Sequence, residues 1–266
     1  MIKYLAYILN KIKVIVSKRK IEKFNYELSL DKINEQFIDR TTLYKYFHHY
    51  FWNLSPDWLK MHRDYFSKEK RGFGEDAFHS MWYLLLKEFK PKNILEIGVY
   101  RGQTLSLFSL LSKKFSFKAE IHGISPFTSA GDEVSEYLES LNYYKDVKNN
   151  FNYLGLPLPI LHRGFSTDKE MIKVIQTKQW DLIYIDGNHD YEAVKQDFEI
   201  CSRQLNQGGF IVLDDASLFT DYEPSSYSTA GHIGPSKLAS EIDLNSFEEI
   251  ISVGHNRVFK KKLSLN

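Results

Sequence analysis

Three acidic residues and one histidine define the chemistry open to this chain. Asp186 closes the apolar run 180–185, and Asp214 and Asp215 close the run 210–213. Both runs have the length of buried strands. As neighbours in a parallel sheet, about 4.8 Å apart, they would turn all three carboxylates into one crevice. Unpaired carboxylates repel one another and rise in pKa. A divalent cation removes that conflict, and an all-oxygen set suits magnesium, manganese or calcium better than zinc. The plain alternative is local capping, because Asp favours helix N-termini and Asp190 stands just before a helix expected from residue 191. His189, in Asp186-Gly187-Asn188-His189, falls at the rim of the same crevice. Its titration range lets it take a proton from a hydroxyl. Asp190 is the other candidate base, and a bond to loop backbone is the structural alternative for His189.

A second chemical feature lies upstream. Residues 96–102 spell E-x-G-x-x-x-G, with Glu96, Gly98 and Gly102, at the exit of the apolar run 93–98. Glycines there permit positive φ and let a ligand approach the backbone. The spacing is neither the G-x-G-x-x-G of dinucleotide-binding folds nor a P-loop. Arg101, inside the turn, is expected at the surface rather than on a pyrophosphate. A cofactor with a nucleoside and an amino acid but no phosphate suits this loop. The alternative is a tight strand-to-helix turn with a solvated Glu96.

These residues need elements that bring strand ends together. Strands are expected at 93–98, 119–124, 159–162, 180–185 and 210–213, the last launched by Gly208-Gly209. Helices are expected at 104–111, 167–177, 191–205 and 235–241, and an antiparallel pair at 247–253 and 257–261. Such alternation implies βαβ units and a three-layer α/β sandwich. Ligands then bind beyond the carboxyl ends of the strands. Residues 26–90 read instead as helical and hold 16 of the 40 Phe, Tyr and Trp residues, which marks an extension with its own apolar content. Phe78, Met81, Trp82, Leu85 and Phe89 share one helical face.

The stretches NILEIGVYRGQT, DLIYIDGNHDYEAVKQD and GGFIVLDDA occur in that order. They resemble class I S-adenosylmethionine-dependent methyltransferases, and more closely the magnesium-dependent O-methyltransferases that act on sugars of macrolides and related glycosides. The resemblance covers about residues 92–262. It implies a Rossmann-like, mostly parallel seven-stranded sheet with the last strand antiparallel, and S-adenosyl-L-methionine as cofactor. Gly98 and Gly102 would cradle the methionyl part, Glu96 would organise the turn, and Ser166 would lie in the adenine-edge loop. Asp186 would border the cofactor and the catalytic centre and, with Asp214 and Asp215, hold Mg2+. His189 would be the base. One position departs from the family: the acidic residue that usually ends the second strand and binds the ribose is here Ser125, with Asp132 the other candidate. The segment 217–236, with His232, is expected to form a flexible wall against the acceptor. Residues 73–82 are expected to cover the cofactor or line the acceptor site. The implied reaction is methyl transfer to a hydroxyl of a sugar or glycoside. The alternatives are a small phenolic acceptor and a non-catalytic methyltransferase-like assembly module.

Composition sets the outer limits. The chain has 266 residues, 43% hydrophobic and 26% charged, as expected of a globular protein. It divides into an extension, 1–90, and a catalytic domain, 91–266. Lys+Arg 35 against Asp+Glu 34 gives +1, which disfavours a dedicated nucleic-acid binder. A lone cysteine, Cys201, excludes an internal disulfide and a Cys-based zinc site and fits a reducing cytoplasm. Residues 1–25 carry seven Lys/Arg against Glu22, a net +6, so the remainder is −5. Leu5, Ile8, Leu9 and Ile12 share a helical face, but no run reaches the roughly 18 apolar residues of a spanning helix. Residues 1–20 are therefore expected to form an amphipathic helix, lying on an anionic membrane surface or packed on the domain or a partner subunit. The expected partners are a small-molecule or glycan acceptor and either that cytoplasmic membrane face or a second copy of the chain.

Overall fold

A computed structural model describes residues 21, 23–24, 26–37, 39–132, 134–135 and 137–263. The amphipathic segment expected at 1–20 lies outside the described residues. Four helices come first: α1 (Leu30–Gln36), α2 (Arg40–Asn53), α3 (Asp57–Ser67) and α4 (Asp76–Phe89). Asp39 starts α2 by accepting a hydrogen bond from the Thr42 backbone N–H at 2.8 Å. Lys90 ends α4 in the left-handed region, φ 46°, and Pro91 prevents continuation. There follow β1 (Asn93–Ile97), α5 (Gln103–Lys114), β2 (Glu120–Ser125), α6 (Tyr143–Tyr153), β3 (Ile160–Arg163) and α7 (Lys169–Gln176). The chain closes with β4 (Trp180–Ile185), α8 (Tyr191–Gln204), β5 (Leu205–Leu213), α9 (Ile233–Glu241), β6 (Phe247–Glu249) and β7 (Arg257–Lys261).

The sheet order is β3-β2-β1-β4-β5-β7-β6, with β7 antiparallel to both neighbours and the other pairs parallel. This is the seven-stranded Rossmann-like sandwich that the sequence implies. The order reverses between β1 and β4, the switch point where a crevice opens beyond the strand ends. One expectation is corrected. Gly208-Gly209 does not precede β5 but lies within it, where pairing jumps from Trp180↔Leu205 to Leu182↔Phe210. Gly208, at φ 77°, absorbs the extra residues of this bulge.

Strand alternation splits the core in two. Ile94, Leu182, Tyr184, Phe210 and Val212 face a layer built from α2, α4, α5 and α6. Leu95, Ile97, Ile183, Ile185, Ile211 and Leu213 face α7, α8 and α9. The N-terminal helices thus share one core with the sheet. Trp82 of α4 meets Phe108 at 4.9 Å and Tyr184 at 5.2 Å between ring centroids. Each such buried side chain contributes about 1.5–3 kcal/mol, so the extension covers a face the sheet could not leave in water.

A buried polar chain crosses this layer. His79 Nδ1 faces the Glu75 carbonyl at 3.1 Å, His79 Nε2 faces His62 Nδ1 at 3.2 Å, and His62 Nε2 faces Ser106 Oγ at 2.9 Å. A carbonyl only accepts, so His79 donates from Nδ1 to Glu75, and Ser106 donates its hydroxyl to the Gln103 carbonyl at 2.9 Å. Burial, then Arg63, lowers His62 to about 3. Burial, then His62, holds His79 well below its usual range.

Candidate active site

The glycine loop is fixed by crossing chains. Gly98 has φ 99°, and a Cβ there would lie 1.7 Å from the Asp186 carbonyl oxygen, so the exits of β1 and β4 touch backbone to backbone. Gly98 N donates to Ile124 O at 2.9 Å, Asp186 N to Ile97 O at 2.8 Å and Asp214 N to Ile185 O at 3.0 Å. These bonds tie the ends of β2, β1, β4 and β5 in steps. Gly102, φ 81°, is the N-cap of α5. Arg101 is not at the surface as expected. It is buried because Asp146 of α6 takes its guanidinium at 2.7 and 3.2 Å and Glu69 O at 2.8 Å. Phe73 lies against Tyr100 at 5.1 Å, and Gly74 N donates to Gln103 Oε1 at 3.0 Å, so the segment before α4 runs across this loop.

Three buried polar atoms here, Glu96 Oε2, Tyr100 Oη and Gln103 Nε2, have no hydrogen-bond partner among the described residues. Burial raises the Glu96 carboxyl to about 8, outweighing a hydrogen bond from the Leu105 backbone. Ser125 ends β2, and its hydroxyl accepts from Phe127 N at 3.3 Å. Ser166 follows β3 and donates its hydroxyl to Asp197 of α8 at 3.0 Å.

Alternation carries Leu182 and Tyr184 on to Asp186, and Phe210 and Val212 on to Asp214. Both carboxyls therefore follow the faces of Tyr184 and Val212, which brings Asp186 beside Asp214. Burial, then the neighbouring Asp214, raises Asp186 well above the carboxylate range. Asp215 breaks the alternation through a left-handed backbone, φ 50°. Its carboxylate enters a ring of histidines: His255 Nδ1 at 2.8 Å, His189 Nε2 at 3.0 Å and His232 Nε2 at 3.8 Å. Burial works against its charge, but His189 and His255 hold it well below the usual range. His189 is gripped from the other side by Asp132 Oδ2, 2.7 Å from both its backbone N and Nδ1. Burial disfavours its imidazolium, yet Asp215 and Asp132 raise it to about 9. Asp132, the other candidate for the ribose, is taken up by His189 and by Ser135 N and Oγ at 2.9 and 2.7 Å. Asp190 is the N-cap of α8 but makes no side-chain cap bond.

His255 escapes a reading of local pattern. It sits in the turn before β7, and only register finds it: β5 and β7 pair antiparallel at Leu213↔Arg257, so residue 255 falls opposite Asp215. His232 arrives through Gly231, which crosses Asp215 so closely that a Cβ would lie 2.1 Å from its carbonyl oxygen. Among the described residues two groups offer three metal-ligand atoms within 4.8 Å of one another: His189, Asp215 and His232, and Asp214, Asp215 and His255.

The wall at 217–236 is tethered rather than free. Ser217 N donates to Ala230 O at 3.0 Å, and Ser228 Oγ donates to Glu75 at 2.6 Å. Tyr44 of α2 also donates to Glu75. Glu223 N donates to Thr41 Oγ1 at 2.8 Å, joining wall and α2 again.

Residues 95–216 match the family described as a methyltransferase domain. An uncharacterised protein, R132, of Acanthamoeba polyphaga mimivirus is 32% identical over 133 residues, 48% of this chain and 52% of that protein. The uncharacterised protein y4gI of Sinorhizobium fredii is 25% identical over 138 residues, 52% of this chain and 14% of that protein. The chain thus spans about half of the first relative and a small part of the second. Among solved structures, a Staphylococcus aureus protein assigned as a caffeoyl-CoA O-methyltransferase aligns with TM-score 0.56 and 15% identity, over 82% of this chain and 98% of its own. The O-methyltransferase of Bacillus cereus in complex with SAH aligns with TM-score 0.53 and 14% identity, over 83% and 96%. Podospora anserina PaMTH1, an SAH-bound methyltransferase, aligns with TM-score 0.53 and 17% identity, over 79% and 89%. At these identities the structures show the fold alone. Residues 95–216 are thus similar to a methyltransferase domain, and the chain has the Rossmann-like α/β fold of these methyltransferases.

Proposed function

We propose that the chain is an S-adenosylmethionine-dependent O-methyltransferase, assisted by a divalent cation, whose acceptor is a hydroxyl of a sugar or glycoside. The observation that carries this reading is the meeting of three features over the switch point. They are the glycine loop, the Asp186–Asp214 carboxyl pair, and His189 beside Asp215. Glu96, Gly98, Gly102, Ser125, Ser166 and Asp186 would hold the cofactor, and the unpartnered Glu96 Oε2 and Gln103 Nε2 fit a polar amino-acid end. When bound, the cofactor supplies a methyl group on a sulfonium. The buried oxygens Asp214 Oδ1 and Asp215 Oδ1, without hydrogen-bond partners, fit a divalent cation held with Asp186. Such an ion supplies positive charge that lowers the pKa of a hydroxyl.

The chain's own residues do the rest. Asp132 holds His189 by Nδ1, which presents Nε2 to the crevice and to Asp215. In its neutral form, which grows as pH rises toward about 9, Nε2 would accept the hydroxyl proton, and Asp132 would stabilise the imidazolium that forms. The wall, tied to Glu75, excludes water and aligns the acceptor, which supplies rate through orientation. Phe73 and Tyr227, 58% and 66% exposed, offer faces for a sugar ring.

The same two rings would stack a small phenol, and the Staphylococcus aureus neighbour's description favours that second reading. Calorimetry with S-adenosylhomocysteine tests the first step; no binding at millimolar ligand would leave only the assembly module. Labelled methyl transfer to glycosides and catechols, with and without chelator, tests the rest. Transfer to catechols alone would replace the sugar reading.

A further inference from the structure

We propose that His255 is a ligand of the cation site, which becomes a mixed centre of Asp214, Asp215 and His255 that takes manganese(II) or a similar transition ion in preference to magnesium. This rests on the cation reading above and goes beyond its three carboxylates.

Three atoms carry the argument. Asp214 Oδ1, Asp215 Oδ1 and His255 Nδ1 are all buried, and none has a hydrogen-bond partner among the described residues. They converge: His255 Nδ1 is 2.8 Å from Asp215 Oδ1, and one ligand atom from each of the three residues lies within 4.8 Å of the other two. Ligand atoms about 2.0–2.2 Å from one ion sit at such separations from each other. The competing account is an ion pair of His255 with Asp215, which against burial raises the imidazole to about 9; at 2.8 Å, however, the ring N–H and the carboxylate are out of hydrogen-bond alignment.

The ring is also held in place. His255 O accepts from Ala216 N at 2.8 Å, Asn256 N closes the turn onto Val253 O at 3.0 Å, and Phe78 packs on the imidazole at 4.6 Å. The residue is 9% exposed. The competing group of His189, Asp215 and His232 is weaker, because His189 already bonds Asp132 and Asp215 through its two ring nitrogens. An imidazole ligand changes the preferred ion. Magnesium demands oxygen and keeps its waters, whereas manganese, iron, cobalt and zinc accept nitrogen.

The test uses the full chain, stripped with chelator, and Mn2+ or Mg2+ alone as probe. The expected result is Mn2+ binding at least tenfold tighter than Mg2+, with a directly coordinated 14N coupling in pulsed EPR. His255→Gln should abolish that coupling and weaken Mn2+ at least tenfold, while Mg2+ and S-adenosylhomocysteine affinities change less than threefold. Equal affinities for the two ions, or bound Mn2+ without nitrogen coupling, would overturn the proposal and leave the carboxylate site standing. A coupling that survives His255→Gln and disappears in His232→Gln would overturn it in favour of the other group. If neither ion binds while S-adenosylhomocysteine does, the cation reading itself fails and this proposal with it. The wild-type measurements decide the matter even if His255→Gln does not fold.

Discussion

At Gly98 two constraints coincide: a positive φ and a carbonyl 1.7 Å from where a Cβ would be. Gly98→Ala must therefore push β1 and β4 apart at the point that aligns Asp186. The expected cost is at least about 2 kcal/mol. Thermal unfolding should drop by about 4–8 °C, and S-adenosylhomocysteine affinity should fall with it; an unchanged melt would show that the crossing yields freely. His189 makes the contrasting case. Its backbone N–H, not only its ring, bonds Asp132, so His189→Ala retains the loop anchor. Turnover should fall about 10²–10⁴-fold while cofactor-product affinity stays within twofold. Loss of that affinity instead would mark the imidazole as a support of the fold. The places of Gly98, Asp186 and His189 at the strand exits were legible because their spacing is local. Arg101 was not, because the partner that buries it, Asp146, lies 45 residues away in another helix.

Between elements, polar contacts join the N-terminal helices to the site. Glu75 accepts from Tyr44 of α2 and Ser228 of the wall, each bond to a charged group contributing about 1.5–3 kcal/mol. Glu75→Ala should release residues 217–230 to limited proteolysis and raise the acceptor KM about tenfold, leaving S-adenosylhomocysteine affinity unchanged. Equal proteolysis of variant and wild type would refute the tether. The His62–His79 chain gives the layer a pH dependence. Both pKa values are lowered on folding, chiefly by burial, so the unfolded chain binds more protons between the ordinary histidine value and the folded one. Their contribution is complete above about pH 6.5 and is lost as pH falls, toward about 3 in the case of His62. Each site contributes a slope of up to about 1.4 kcal/mol per pH unit. Urea unfolding at pH 7.5 and 5 should show this loss in the wild type and a smaller one in His62→Gln; identical slopes would exclude the pair. Periodicity revealed α4, β4 and α8, but not which helix meets which loop, since that depends on packing between faces distant in sequence.

Over the whole molecule, alternating runs were enough to read a seven-stranded α/β sandwich, because each βαβ unit must bury both faces of its strand. The fate of the extension was not legible, because its aromatic face is equally consistent with a separate bundle. Only contacts such as Trp82 with Tyr184 show that it completes the core under the site. Charge is the remaining large-scale asymmetry: +6 over residues 1–25 against −5 elsewhere. No helix among the described residues is long and apolar enough to cross a membrane. A surface attachment is a different matter, since each Lys or Arg near an anionic bilayer contributes about 1 kcal/mol. Ile21 is buried and Phe24 packs on Phe37 at 5.4 Å, so these two residues belong to the aromatic layer. The full chain should therefore co-sediment with phosphatidylserine vesicles, and binding should fall as salt rises from roughly 0.05 to 0.5 M and the Debye length shrinks. Deleting residues 1–20 should abolish co-sedimentation and leave S-adenosylhomocysteine binding intact. Indifference to vesicles, with a smaller assembly in light scattering after the deletion, would assign the segment to a subunit interface instead.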